Sequence, residues 1–271
     1  MALAKTRWAH LLERMLGWSM NLFRVRGIQL AVHYSFFLLL AYVAWEGWLA
    51  EAWPGALVSV ALVVAFFVCV VLHELGHCFV AQRNGIRVPR ILLMPIGGMA
   101  EFESIPRQPR TEITMALAGP AVNFATVALL WWFVDFSGDT EATVLPVTVG
   151  EFVNQLFLAN LVMGTFNLLP VFPMDGGRVL RALLAMRLPY LRATFVAATV
   201  GKVLALLLAI GALWLGAYLA AVLFLFIFVV GEAEYRALKR AEAEAAHWRD
   251  FWARVDLPPA PPAAEPPVLL G

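Results

Sequence analysis

Scored only as apolar or polar, the chain is a series of long apolar runs separated by short polar stretches of two alternating kinds. Apolar residues dominate 27–45, 55–82, 113–134 and 147–169, and again 193–231. Each of the first four suits a helix crossing a hydrocarbon core of about 30 Å. The last would make a single helix of about 58 Å at 1.5 Å per residue, so two spans turning near 211–216 are expected in its place. The pattern predicts an all-α polytopic membrane protein with six transmembrane helices.

The polar stretches refine this. Residues 2–24 mix Trp8, Leu11, Leu12, Met15, Leu16, Met20 and Phe23 with Lys5, Arg7, Arg14 and Arg24. Apolar spacings of three and four with basic residues between them predict an amphipathic helix on an anionic membrane face; a disordered basic leader is the alternative. Residues 83–112 are rich in Gly and Pro, and within them 90–96 and 98–103 read as two short strands joined around Gly97 and Gly98. A small membrane-edge β element between spans two and three is therefore expected. Residues 232–256 are charged and helix-prone, and after Leu257 a Pro/Ala-rich stretch reads as disordered. The expected organisation is an amphipathic cytoplasmic segment (1–26), a six-span core (27–231), and a cytoplasmic charged helix with a Pro/Ala-rich tail (232–271). No apolar run precedes residue 27, so the first span should stay as an anchor and not be cleaved as a signal.

Composition changes the picture in one respect. The chain is 62% hydrophobic and 14% charged, with mean hydropathy +0.77, against about 25% charged residues in soluble proteins. The lipid bilayer is the environment this implies. A net charge of +1 gives no footing for nucleic-acid binding. Placement of the charges says more. With six spans, every Lys and Arg except Lys202 falls on one side, whereas the loops on the other hold Glu46, Glu51, Asp135, Asp139 and Glu141. The positive-inside rule then puts both termini in the cytoplasm of a cell membrane. Lys202, close to the start of the fifth span, is expected to snorkel to the headgroups. The excess of Arg over Lys and the frequency of Ala point to a bacterial source.

Candidate chemistry lies in the second span. His73-Glu74-Leu75-Gly76-His77 sits in a run whose only other ionisable side chains are the cysteines. Residues four apart share a helix face, so both imidazoles can point at one ion with Glu74 beside them. A short match of this kind also arises by chance on helix surfaces. Inside a membrane-length run, however, charged types cost roughly 2.5 to 3.5 kcal/mol each and need a functional reason. Zinc suits the pattern, with Glu74 as the base that takes a proton from metal-bound water. Cys69 and Cys78 are about 13 Å apart along the axis, too far for a disulfide, and read as core thiols.

Two imidazoles leave a position for a third protein ligand. Asp175 is the best placed, because the predicted orientation puts it on the same side as the end of the His73 helix; Met-Asp-Gly-Gly is also good turn chemistry by itself. Asn167 offers an amide at the end of the fourth span, as substrate donor or as helix cap. Asn123 reads equally as a site residue and as an interhelical hydrogen-bonding group.

The motif in the second span, Pro95-Ile-Gly-Gly-Met-Ala-Glu-Phe-Glu103 after it, Ala118-Gly-Pro-Ala-Val-Asn123 in the third span, and 167–177 together resemble the site-2 protease family of intramembrane zinc metalloproteases. The resemblance covers about residues 27–235, without the PDZ or cystathionine-synthase-type regulatory domains common in that family. It implies one Zn²⁺ per chain held by His73, His77 and Asp175, with Glu74 as general base. It further implies that Asn167 and Pro173 help hold a substrate near the metal, and the strand at Gly98 would offer an edge to an unwound peptide. The implied activity is hydrolysis of a transmembrane protein substrate near its cytoplasmic end, in regulated intramembrane proteolysis. A metal-binding membrane scaffold or permease is the alternative, and it has no need of Glu74.

Overall fold

The computed structural model describes residues 17–104, 106–134 and 149–254. The acidic loop with Asp135, Asp139 and Glu141, most of the amphipathic helix expected over 2–24, and the Pro/Ala-rich stretch lie outside these.

The described chain begins as a hairpin. Strand β1 (Ser19–Val25) turns at Arg26 and Gly27, with φ of 48° and 86°, into β2 (Ile28–His33). Positive φ at both central residues is the type I′ geometry that matches strand twist, and glycine makes the second position easy. Residues 19–25 are therefore strand, not the end of an amphipathic helix. The first span likewise starts later than residue 27. Ile28, Leu30, Ala31 and Val32 are all buried. A strand buried on both faces shows a continuous apolar run with no alternation, and such a run reads like the start of a membrane helix.

Helix α1 (Tyr34–Arg83) contains the first two apolar runs. It breaks at Glu51 (φ −138°, ψ 26°) and Ala52 (φ 50°, ψ −139°), with Pro54 opening the second limb. Proline belongs at a helix start, where its missing N–H is no loss. The limbs fold back on each other, since the rings of Phe36 and Phe67 lie 4.6 Å apart edge to face. The loop expected to hold Glu46 and Glu51 thus contracts to a two-residue break.

Strands β3 (Arg90–Met94) and β4 (Gly97–Glu101) follow, a hairpin where the sequence predicts one. They join the first hairpin in one sheet of order β1-β2-β3-β4, with β2 and β3 parallel and the outer pairs antiparallel. A parallel pair needs a long crossover, and α1 supplies it. Ile28 and Val32 of β2 and Ile91 and Leu93 of β3 pack with Phe67, Val70, Leu75 and Cys78 of α1, so the sheet abuts the limb that carries the histidines. β4 has a free edge.

Helix α2 (Pro109–Leu130) ends in a 3-10 turn (Trp131–Phe133), and α3 (Val149–Asn167) follows. Beyond the fourth apolar run, Asp175–Ala185 form an amphipathic helix, α4, that buries Asp175, Gly176, Gly177, Arg181 and Ala182. Helices α5 (Tyr190–Trp214) and α6 (Tyr218–Arg254) make a hairpin that turns at Gly216, with φ 71°. A left-handed glycine just past the last turn is a common helix stop. Gly211, by contrast, is inside α5. Alanines 193, 197, 198, 205, 209 and 212 form the buried stripe of α5, small side chains that allow close helix approach. Lys202, expected to reach the headgroups, donates to Glu232 of α6 at 2.6 Å.

Among the described residues, four helices are long and apolar enough to cross a membrane: α1, α2 with its 3-10 extension, α5 and α6. The protein is mostly helical with a small sheet.

Candidate metal centre

His73 and His77 lie on the inner face of the second limb of α1, 3% and 4% exposed. Asp175, the first residue of α4, is brought against them. Its Oδ2 stands 3.3 Å from His73 Nε2 and 3.2 Å from His77 Nε2, and the two Nε2 atoms are 3.1 Å apart. Among the described residues no other His, Cys, Asp or Glu group converges in this way. Zn²⁺ bound tetrahedrally at roughly 2.0 to 2.2 Å sets its donors about 3.4 Å apart, so this nearly equilateral triangle has the dimensions of a zinc-binding face. Two imidazoles and one carboxylate also leave a fourth position open. The donor set fits the ion on chemistry and on size. Cys78 belongs instead to the apolar cluster beneath the sheet.

The ligands are held from behind. His77 Nδ1 donates to the Met115 carbonyl at 2.7 Å, and His73 Nδ1 lies 2.5 Å from Asn123 Oδ1. Asn123 donates in turn to Asn160 Oδ1 at 3.0 Å. Such partners orient a metal-binding imidazole and are as much part of the site as the ligands. Both readings of Asn123 are thus realised in one side chain. Sequence reasoning missed Asn160 and Met115. A lone amide in the apolar part of α3 was a signal for the first; a backbone carbonyl leaves none. Pro120, inside α2, has no N–H to give to the Ala116 carbonyl.

Close approach depends on glycines. A Cβ at Gly119 would collide with Nε2 of both histidines, and one at Gly76 would come within 2.7 Å of the Ala118 carbonyl. Helices α1 and α2 therefore cross with almost no side chain between them. Glu74 is half-buried on the same limb, and a Cβ at Gly98 would stand 2.7 Å from its Cγ. β4 thus passes directly over Glu74.

Helix α4 is pinned by a buried ion pair that the sequence did not reveal. Arg181 donates through Nε to Glu112 Oε1 of α2 at 2.7 Å, and its guanidinium lies 5.1 Å and 5.2 Å from the rings of Phe172 and Tyr190. Of the remaining predicted residues, Asn167 donates to the Met163 carbonyl one turn back at 3.0 Å, as a helix-end residue does. Pro173 is exposed in the segment just before Asp175, with a cis bond to Phe172. The structure does not bring either into the donor triangle.

The fold and the site define a membrane protein with a buried centre of two histidines and one carboxylate, suited to zinc. The chain belongs to peptidase family M50, whose model matches residues 61–143 and 141–210. It is 35% identical over 224 residues to a zinc metalloprotease of Methanocaldococcus jannaschii, covering 83% of this chain and 62% of that protein. It is 31% identical over 126 residues to stage IV sporulation protein FB of Bacillus subtilis, covering 46% of this chain and 40% of that protein. The chain thus spans less than two thirds of the length of either relative. Among solved structures it is similar to a site-2 protease from Methanocaldococcus jannaschii, with TM-score 0.56 and 35% identity over 80% of this chain and 95% of that one.

Proposed function

We propose that the protein is a zinc endopeptidase that hydrolyses a peptide bond of a membrane-spanning protein near its cytoplasmic end, in regulated intramembrane proteolysis. The observation that carries this reading is the triangle of His73, His77 and Asp175 with Glu74, which is not part of it, lying beneath β4, an edge strand among the described residues.

In this reading the three residues would hold one Zn²⁺, which would supply Lewis acidity and lower the pKa of a bound water to about 7. Glu74 would take a proton from the attacking water and return it to the departing amine, general acid–base work typically worth about 10²- to 10⁴-fold in rate. The free edge of β4 pairs with the substrate backbone, because a helical peptide bond is sterically shielded and already hydrogen-bonded and must be drawn out before attack. Gly98 lets that edge lie close over Glu74. Asn167 and Pro173 flank the path to Asp175 and hold the substrate there, Asn167 exchanging its bond to Met163 for one to the substrate carbonyl.

The two limbs of α1 with α2, α3, α5 and α6 make six spans, with both termini in the cytoplasm. Two features support that arrangement. Lys and Arg gather on one side of the six-span path. Exposed Trp45, Trp53, Trp131, Trp132, Trp214 and Tyr218 cluster at the opposite turns, as interfacial aromatic residues do.

The test is cleavage of membrane-embedded substrates by purified protein, with and without a chelator, for the parent and Glu74→Gln. The parent should cleave only with zinc. Glu74→Gln should keep the parent's zinc content while losing at least about 10²-fold in rate. A Glu74→Gln protein that cleaves at the parent rate would show that Glu74 is not the base, and a parent inactive in zinc would favour the scaffold.

A further inference from the structure

We propose that Asn160 of α3 is a positioning residue that determines which nitrogen of His73 carries the hydrogen, and so keeps the Nε2 lone pair free for the metal. The proposal rests on the reading above in that it takes a metal to bind at the centre. Its starting point is a group whose polarity is not open to choice. The Leu156 carbonyl can only accept a hydrogen bond, and one end of the Asn160 amide lies 2.8 Å from it, so that end is the NH₂. The oxygen of Asn160 is thereby turned toward Asn123 at 3.0 Å, where it too can only accept. Asn123 must then present its own NH₂ to Asn160, which leaves its oxygen for His73 Nδ1 at 2.5 Å. An amide oxygen cannot donate, so Nδ1 carries the hydrogen, and in a neutral imidazole Nε2 then holds the lone pair. Nε2 is the atom in the triangle with His77 and Asp175.

A directional chain thus runs from a backbone carbonyl of α3, through two amides, to a donor atom on α1. Asn123 and Asn160 are both 0% exposed, so solvent offers neither amide a reason to reverse. Without the Asn160 oxygen, Asn123 can turn its NH₂ to His73 Nδ1, which places the imidazole hydrogen on Nε2 and aims an N–H at the metal. His77 needs no such chain, because the Met115 carbonyl accepts from its Nδ1 directly.

The experiment measures zinc affinity of the purified full chain in detergent micelles by competition with a chromophoric chelator. Asn160→Leu should lower affinity by about 10- to 100-fold, as loss of an orienting partner does. In an Asn123→Asp background, a carboxylate at position 123 accepts from His73 through either oxygen and needs no orientation, so there Asn160→Leu should change affinity by less than about threefold. Equal losses in both backgrounds would mean that Asn160 only supports the fold, and no loss in the native background would mean it does nothing for the site; either overturns the proposal. If Asn160→Leu does not fold, Asn160→Asp decides. It keeps an acceptor for Asn123 and should stay within about threefold of the parent, whereas a tenfold loss overturns the proposal. A parent that binds no zinc would instead remove the metallopeptidase reading, and with it the proposal, before any variant is compared.

Discussion

Where α1, α2, α3 and α4 meet, buried polar groups are tied to one another; between α5 and α6, small apolar side chains fill the contact and the ion pair sits near the surface. The two ion pairs make the difference concrete. Arg181 and Glu112 are 3% and 4% exposed in their side chains, whereas Lys202 and Glu232 are 22% and 26% exposed. Arg181 and Glu112 hold α4, and so Asp175, against α2. Lys202 and Glu232 join two helices that alanine packing already holds together. A buried polar group tied to a specific partner has few other geometries, since the alternatives leave it bare. Packed alanines impose no direction, and suit a region that only has to stay assembled.

Variants can break or sharpen this contrast. The largest effect is expected from replacing both His73 and His77 with Ala. That should remove the metal altogether, because one carboxylate holds zinc poorly, and elemental analysis of the purified protein would check it. Next is Arg181→Leu, which leaves Glu112 as a buried charge without its guanidinium. A loss of about 3 to 5 kcal/mol in unfolding free energy is expected, and Arg181→Leu with Glu112→Leu together should recover most of it. Thermal or denaturant unfolding in detergent would show whether the pair acts in this way. A smaller loss, about 1 to 3 kcal/mol, should follow Ala205→Leu, since Ala205 is fully buried against Val171 and Ile227 and a larger side chain overpacks the contact. The smallest change is expected from Lys202→Met, which should leave both unfolding and zinc content close to the parent. A large destabilisation by Lys202→Met would erase the contrast between the two regions.

Legibility followed range. The i, i+4 spacing of His73 and His77 and the long apolar runs depend on helix geometry alone, so they could be read directly. The hairpin of β3 and β4 was legible for a similar reason, because two short runs flanked a Gly-rich turn. Residues 28–33 misled because apolarity is the same signal whether lipid or protein covers it, and only the sheet reveals that β2 is covered by protein. The helix over Asp175–Ala185 was hidden behind its arginines, one of which, Arg181, is charged yet buried.

By itself the sequence determined a membrane-embedded chain with two imidazoles and a free carboxylate on one helix, and it placed Asp175 on the appropriate side. Only the tertiary structure decided that Asp175 Oδ2 reaches both Nε2 atoms, that Gly119 clears the space for them, and that Met115, Asn123 and Asn160 stand behind the ligands. The physical reason is that helical periodicity is fixed by local backbone geometry. The meeting of residues 37 to 50 positions apart, as in the pairs Asn123–Asn160 and His73–Asn123, depends on where helices cross. Crossing is set by the volumes packed between helices, and no spacing along the chain encodes it.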